Sequence, residues 1–229
     1  MKTLTLILKA GLVFACVVFP LCAAPIISET FDKPLAVEKW KSDAAATVKD
    51  GALVLTATGG AEVYANTGVV MKAGDPALDF TAKPVEIQVR ELDITGPGKP
   101  GDGVMVWIFS ADTQGEGNST GYLKFRLGDD GALMLMYGAA GVKEVTIHRL
   151  ASPLVFPVKS LKLRLSATDF SIKGVDAERE FSGTGKWGAE FNPAVWKGQT
   201  PYLQIRSVRR PGEGAAVVKV GVLAATNVP

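Results

Sequence analysis

Six polar side chains stand at alternate positions in two short stretches. Tyr122, Lys124 and Arg126 are separated by Leu123 and Phe125, and Tyr202, Gln204 and Arg206 by Leu203 and Ile205. Successive side chains of an extended chain point to opposite faces, so each trio shares one face and its apolar partners the other. A phenol ring stacks on the apolar face of a sugar, and guanidinium or amide planes hold hydroxyls through paired hydrogen bonds. On adjacent strands the six would form a carbohydrate-binding face, although an ordinary solvated sheet surface has the same pattern. Trp107, Trp187 and Trp196 are further stacking candidates, but the wholly apolar run around Trp107 suits core packing better.

Read as catalysis, the same residue types suit a polysaccharide lyase. There, Arg and Gln neutralise a uronate carboxylate while Tyr or His takes and returns the proton. His148 is the one histidine available as base. Alternation puts it outward relative to Val145 and Ile147, where an exposed structural role explains it equally. Asp112, Glu116 and Asn118 in one loop, or Asp129 and Asp130 in a turn, offer the oxygen ligands that calcium takes. Turn chemistry accounts for the aspartate pair as well. No other cofactor is expected. Gly183-Thr-Gly-Lys-Trp-Gly188 and Gly96-Pro-Gly-Lys-Pro-Gly101 match a dinucleotide-binding glycine pattern, but neither opens a helix inside a strand–helix–strand unit.

Residues 1–24 read as an export signal. Lys2 and Lys9 give a positive start, Ala10 to Phe19 an apolar stretch, and Leu21-Cys22-Ala23-Ala24 a small-residue cleavage site, after Ala23 or Ala24. The expected location is therefore secreted or periplasmic. Both cysteines, Cys16 and Cys22, lie in this leader, which leaves a mature chain without disulfides or thiolate sites. Net charge is +2 over the 229 residues, and loss of Lys2 and Lys9 balances it. Bulk charge thus points to neither nucleic acid nor a membrane surface as partner.

These residues must be positioned by strands. Short runs rich in Val, Ile, Leu, Phe, Tyr and Thr recur between Gly, Asp, Asn and Pro clusters. Hairpins are expected around Asp50-Gly51, around Gly128-Asp-Asp-Gly131 and at Gly174. Leu161, Leu163 and Leu165 oppose Lys162 and Arg164, and Val218, Val220 and Val222 oppose Val217 and Lys219. Val104–Phe109 and Leu133–Tyr137 are apolar on both faces and should lie mid-sheet. Pro34–Lys41 and Pro193–Lys197 are the expected helical turns. About a dozen strands with almost no helix give a two-sheet sandwich or a barrel, read as one domain over residues 25–229.

Glu29-Thr-Phe-Asp32, Trp40 and Val48-Lys-Asp-Gly-Ala-Leu-Val-Leu55 resemble the opening of laminin-G-like modules and of bacterial 3-keto-disaccharide hydrolase-type domains. Asp130-Gly-Ala-Leu-Met-Leu135 and the Val-rich last strand continue the likeness. The chain thus resembles the concanavalin A-like lectin/glucanase superfamily over nearly its whole mature length. The resemblance implies an all-β, two-sheet antiparallel jelly-roll sandwich, with its last strand beside its first and glycan contact on the concave sheet or its rim. Laminarinase-type glucanases of that superfamily carry Glu-x-Asp-x-(x)-Glu on one strand. Glu91 and Asp93 match its first two positions, but Thr95 and Gly96 stand where the second glutamate is required. Retaining hydrolysis needs two carboxyls about 5 Å apart, so the motif lacks its acid. The reading is a secreted carbohydrate-recognition domain without catalysis. A glycoside hydrolase or polysaccharide lyase of the same fold is the alternative, and a protein-interaction or assembly module is the third.

Overall fold

The structure, a computed structural model, describes residues 24–59, 64–115, 117–212 and 214–229. Residues 1–23 of the expected leader, both cysteines, and Glu116 of the expected calcium set lie outside the described residues. In chain order the strands are β1 (Ile27–Glu29), β2 (Trp40–Ser42), β3 (Ala46–Lys49), β4 (Ala52–Thr58), β5 (Ala65–Met71), β6 (Val85–Thr95), β7 (Gly103–Ser110), β8 (Tyr122–Gly128), β9 (Leu133–Ala139), β10 (Val142–Arg149), β11 (Val158–Leu165), β12 (Asp169–Val175), β13 (Glu180–Lys186), β14 (Tyr202–Arg209) and β15 (Ala215–Asn227). Two sheets, antiparallel throughout, stack on each other. The back sheet runs β13-β12-β11-β6-β15-β4-β3, with β1 on the later half of β15, and the front sheet runs β10-β9-β8-β7-β14-β5-β2. The first strand does lie beside the last.

Period-two alternation builds the layers. Leu53, Leu55 and Ala57 of β4 and Leu161, Leu163 and Leu165 of β11 face the space between the sheets and are buried, each large side chain contributing about 1.5–3 kcal/mol. From the front sheet, Trp107 meets Phe125 with ring centroids 5.0 Å apart. Beside this lies an aromatic cluster in which Phe80 packs on Phe109, Trp187, Phe191 and Trp196. The hairpins at Asp50-Gly51 and Gly128–Gly131 form as expected, the first with φ of 52° and 73° at its two central residues.

Several expectations need correction. The third hairpin turns at Asp176 to Arg179, not at Gly174. Asp176 is fully buried there and its carboxylate accepts from the Glu178, Arg179 and Val155 N–H groups at 2.8, 2.8 and 3.2 Å, a stronger turn signal than a glycine. Leu133–Tyr137 lies in β9, one strand from the sheet edge, although Val104–Phe109 occupies the central strand, β7. Pro193–Trp196 forms a 3-10 turn, 34–41 holds a single hydrogen-bonded turn in which the Ala36 carbonyl accepts from Lys39 and Trp40 N–H at 3.0 and 2.9 Å, and a further 3-10 turn forms at Pro76–Leu78, capped by Asp75.

On β15, Leu223 and Ala225 point inward, and Val222 does not. The alternation inverts at Gly221, and at the opposite Glu91 of β6, where Val85, Ile87 and Val89 face in on one side and Leu92 and Ile94 on the other. Glu91 has φ of 54° and its side chain lies over Gly221, where a Cβ would come within 2.5 Å of Oε2. The carboxylate seated on a glycine marks where both strands turn their pleat.

Candidate functional site

The two polar trios flank β7 on the outer face of the front sheet. The antiparallel registers align them in three rows, Tyr122–Ser110–Tyr202, Lys124–Ile108–Gln204 and Arg126–Val106–Arg206. Between them Val104, Val106 and Ile108 of β7 point away from the main core, yet are only 3%, 6% and 1% exposed. With Tyr122 and the partly buried Val208 they form a separate apolar cluster. Long polar side chains from β8 and β14 lean over this cluster, their stems covering it while their heads reach water. A trough of about 550 Å3 results, within the ~300–1,000 Å3 range of small-ligand sites. Val104, Val106, Ile108 and Val208 line it below, Met134 and Met136 come from β9, and Lys124, Arg126, Arg206, Arg210, Asn66, Tyr64 and Glu144 complete it.

Charge in the trough is one-sided. Among the described residues lining it are four cations and one carboxylate, Glu144. That carboxylate forms an ion pair with Lys124 and accepts from the Tyr122 hydroxyl at 3.0 Å. Gln204 is likewise engaged, its Oε1 accepting from Arg206 Nη2 at 2.7 Å. Burial lowers the Arg126 pKa from its ordinary value, and the neighbouring Arg210 and Arg149 push the same way, opposed by Asp130 and Tyr64. Arg149 in turn rests its guanidinium on Met134 Sδ at 3.0 Å.

Of the six residues read from the sequence, Lys124, Arg126 and Arg206 line the trough. Tyr122 is 5% exposed and sits behind it: its ring covers Gly138, where a Cβ would fall 2.3 Å from the hydroxyl, and that hydroxyl holds Glu144. Gln204 acts through Arg206. Tyr202 is on the same face but packs over Gly74, away from the trough. Glu144, Met134, Met136, Asn66, Tyr64 and Arg210 were not found by sequence reasoning. Their arrival depends on β9, β10 and β5 lying beside the two trios, and on a register shift in β10, for which no local motif exists.

The other candidates lie elsewhere. Glu91 and Asp93 are in β6 of the back sheet, on the opposite side of the sandwich from the trough. His148 is half-buried, not exposed as expected. It is edge-on to Phe170 at 5.5 Å and directed at Gly183 of β13, because the shift between Thr146 and His148 turns it toward the back sheet. Trp196 is fully buried in the aromatic cluster, and half-buried Trp187 donates to the Ser166 carbonyl at 2.8 Å, so neither is a stacking platform on the trough. The described carboxylates offered for calcium accept hydrogen bonds within the protein. Asp112 accepts from Ser119 Oγ and Thr120 N at 2.9 and 3.1 Å, Asp129 from Gly101 N, and Asp130 from Ala132 N at 3.0 Å. Asn118 is exposed. The described residues contain no group of three or more His, Cys, Asp or Glu able to hold a metal.

Two open antiparallel sheets with this strand order and an outer-face trough define a concanavalin A-like jelly roll. No protein-family model and no curated protein sequence matches the chain. Solved structures do. One, from work on endo-acting O-glycanases that human gut microbiota express to initiate mucin breakdown, is 13% identical with a TM-score of 0.62, over 90% of this chain and 100% of that one. The family GH16 endo-β-1,3(4)-glucanase SCLam is 13% identical at 0.58, over 90% and 91%. The exoplasmic/lumenal domain of VIP36, solved with Ca2+ and Man3GlcNAc, is 11% identical at 0.58, over 83% and 84%. At such identities the likeness shows the fold alone, on which lectins and hydrolases both occur.

Proposed function

We propose that this protein is an exported carbohydrate-recognition domain that binds a saccharide in the front-sheet trough without transforming it. The observation that carries this reading is the row alignment across β7, which sets Lys124 and Arg126 on one side and Arg206 on the other of an apolar floor covered by their stems. These aliphatic stems with Val208 meet the C–H face of a pyranose, and flanking planar donors meet its hydroxyls. Neighbours of the same fold bind or cleave glycans, which supports the class of ligand.

The trough chemistry argues against turnover. A retaining glycosidase needs two carboxyls about 5 Å apart, and an inverting one needs two at a wider spacing. Among the described lining residues there is one, already neutralised by Lys124. A lyase needs a phenol or imidazole facing the sugar; Tyr122 is buried against Gly138 and His148 faces the back sheet, which leaves Tyr64 at the trough rim as the one such group among the described lining residues. The decisive experiment is a polysaccharide array on the mature protein with detection of reducing ends and unsaturated products. Retention without products is expected. Products overturn the non-catalytic reading, and the absence of any retention overturns the proposal.

A further inference from the structure

The trough's charge is more specific than carbohydrate recognition requires. Arg126 is half-buried, and among the described residues its guanidinium has no hydrogen bond and no ion pair within 4.0 Å. Arg210, exposed at the end of β14, has no such side-chain partner either, and the two repel each other across the same end of the trough. The nearby Asp130 uses Oδ1 on its own turn. Among the described residues, the one carboxylate lining the trough stands on β10, held by Lys124 and Tyr122. Gathering like charges in a partly desolvated place is unfavourable unless an anion offsets it, and arginine suits planar or tetrahedral oxyanions through its fork of donors.

Resting on the carbohydrate reading above, we propose that the trough selects anionic saccharides, binding a carboxylate or sulfate substituent at Arg126 and Arg210 while the sugar ring lies on Val208 and on the arginine stems that cover Val106. A neutral sugar would leave the two guanidinium groups uncompensated and pay for their desolvation without return. A nucleic acid offers the same charge, but single-strand binding relies on aromatic platforms for the bases. The described lining holds aliphatic and methionine side chains with Tyr64 as the one aromatic ring.

The test compares polygalacturonate, its carboxyl-reduced neutral counterpart, a dextran sulfate free of carboxylates, neutral laminarin and an oligodeoxythymidylate, by calorimetry on the full mature chain. Polygalacturonate or the dextran sulfate should bind, the choice between them identifying carboxylate or sulfate. Carboxyl reduction should weaken polygalacturonate binding, and Arg126→Ala and Arg210→Ala should each weaken binding of the preferred polyanion ~10-fold or more, as loss of a charged hydrogen bond does. Arg210→Ala alters an exposed side chain, so its result does not depend on the fold surviving a half-buried change. Lys219→Ala, exposed on the back sheet, should leave affinity unchanged. Equal affinity for neutral and acidic glycans overturns this inference and leaves carbohydrate recognition standing. Failure of every glycan overturns both. Equal binding of the oligonucleotide, or loss of affinity in Lys219→Ala as large as in Arg210→Ala, reduces the effect to bulk charge and also overturns it.

Discussion

Asp176 is a fully buried carboxylate held by three backbone N–H groups, with the Arg179 guanidinium 3.8 Å away. Burial alone would raise its pKa, but the three donors together, helped by Arg179, hold it below the ordinary carboxylate range. A carboxyl with a lowered folded-state pKa contributes stability above its unfolded value, ~3.9, and that contribution disappears as pH falls through the folded value. Asp176→Ala should therefore cost about 2–3 kcal/mol in urea unfolding at neutral pH. The penalty should shrink in acid, where the native protein has already lost the same interaction. A penalty of equal size at low pH would refute the assignment. Trp107 makes a different case. Its Nε1 is buried without a partner while its ring stacks on Phe125. Trp107→Phe should cost under about 1.5 kcal/mol and Trp107→Ala about 3–5 kcal/mol, measured by the same unfolding. Glu91→Gln, on the far sheet, should leave glycan affinity as it is.

At the scale of elements, β9 matters through a residue with no side chain. Tyr122 reaches Glu144 only because Gly138 leaves room beneath its ring. Gly138→Ala should displace the phenol, free Glu144 from it, and lower stability by about 1–3 kcal/mol, the usual cost of overpacking. Thermal unfolding and saccharide titration of the same variant check both consequences. The elements also show how far alternation can be read. It placed Leu123, Phe125, Leu127 and the polar trios on the correct faces because their strands are regular. It failed at Val222 and His148, where a pleat inversion and a register shift intervene, since such irregularities arise from pairing with neighbours and not from local composition. Trp196, read from loop-rich sequence as a surface ring, is buried because a 3-10 turn swings it onto Phe80 and Phe109.

For the whole molecule, the expected leader fixes where the domain would act. Mass spectrometry of the exported chain should find Ala24 or Pro25 as its first residue, and an intact Met1 or Lys2 terminus would remove that proposal. Among the described residues no helix is long and apolar enough to cross a membrane. By itself the alternation determined the all-β class and the face each trio would occupy, because a two-residue period is a local property of an extended chain; it left sandwich and barrel open, and only the family resemblance implied the sandwich. The tertiary structure alone decided that the trios flank one apolar strand, that Glu144 and Arg210 join them, and that Lys124, Arg126, Arg206 and Arg210 meet in one trough. Strand order and register are set by contacts between residues far apart in the chain, and no window along the sequence contains them.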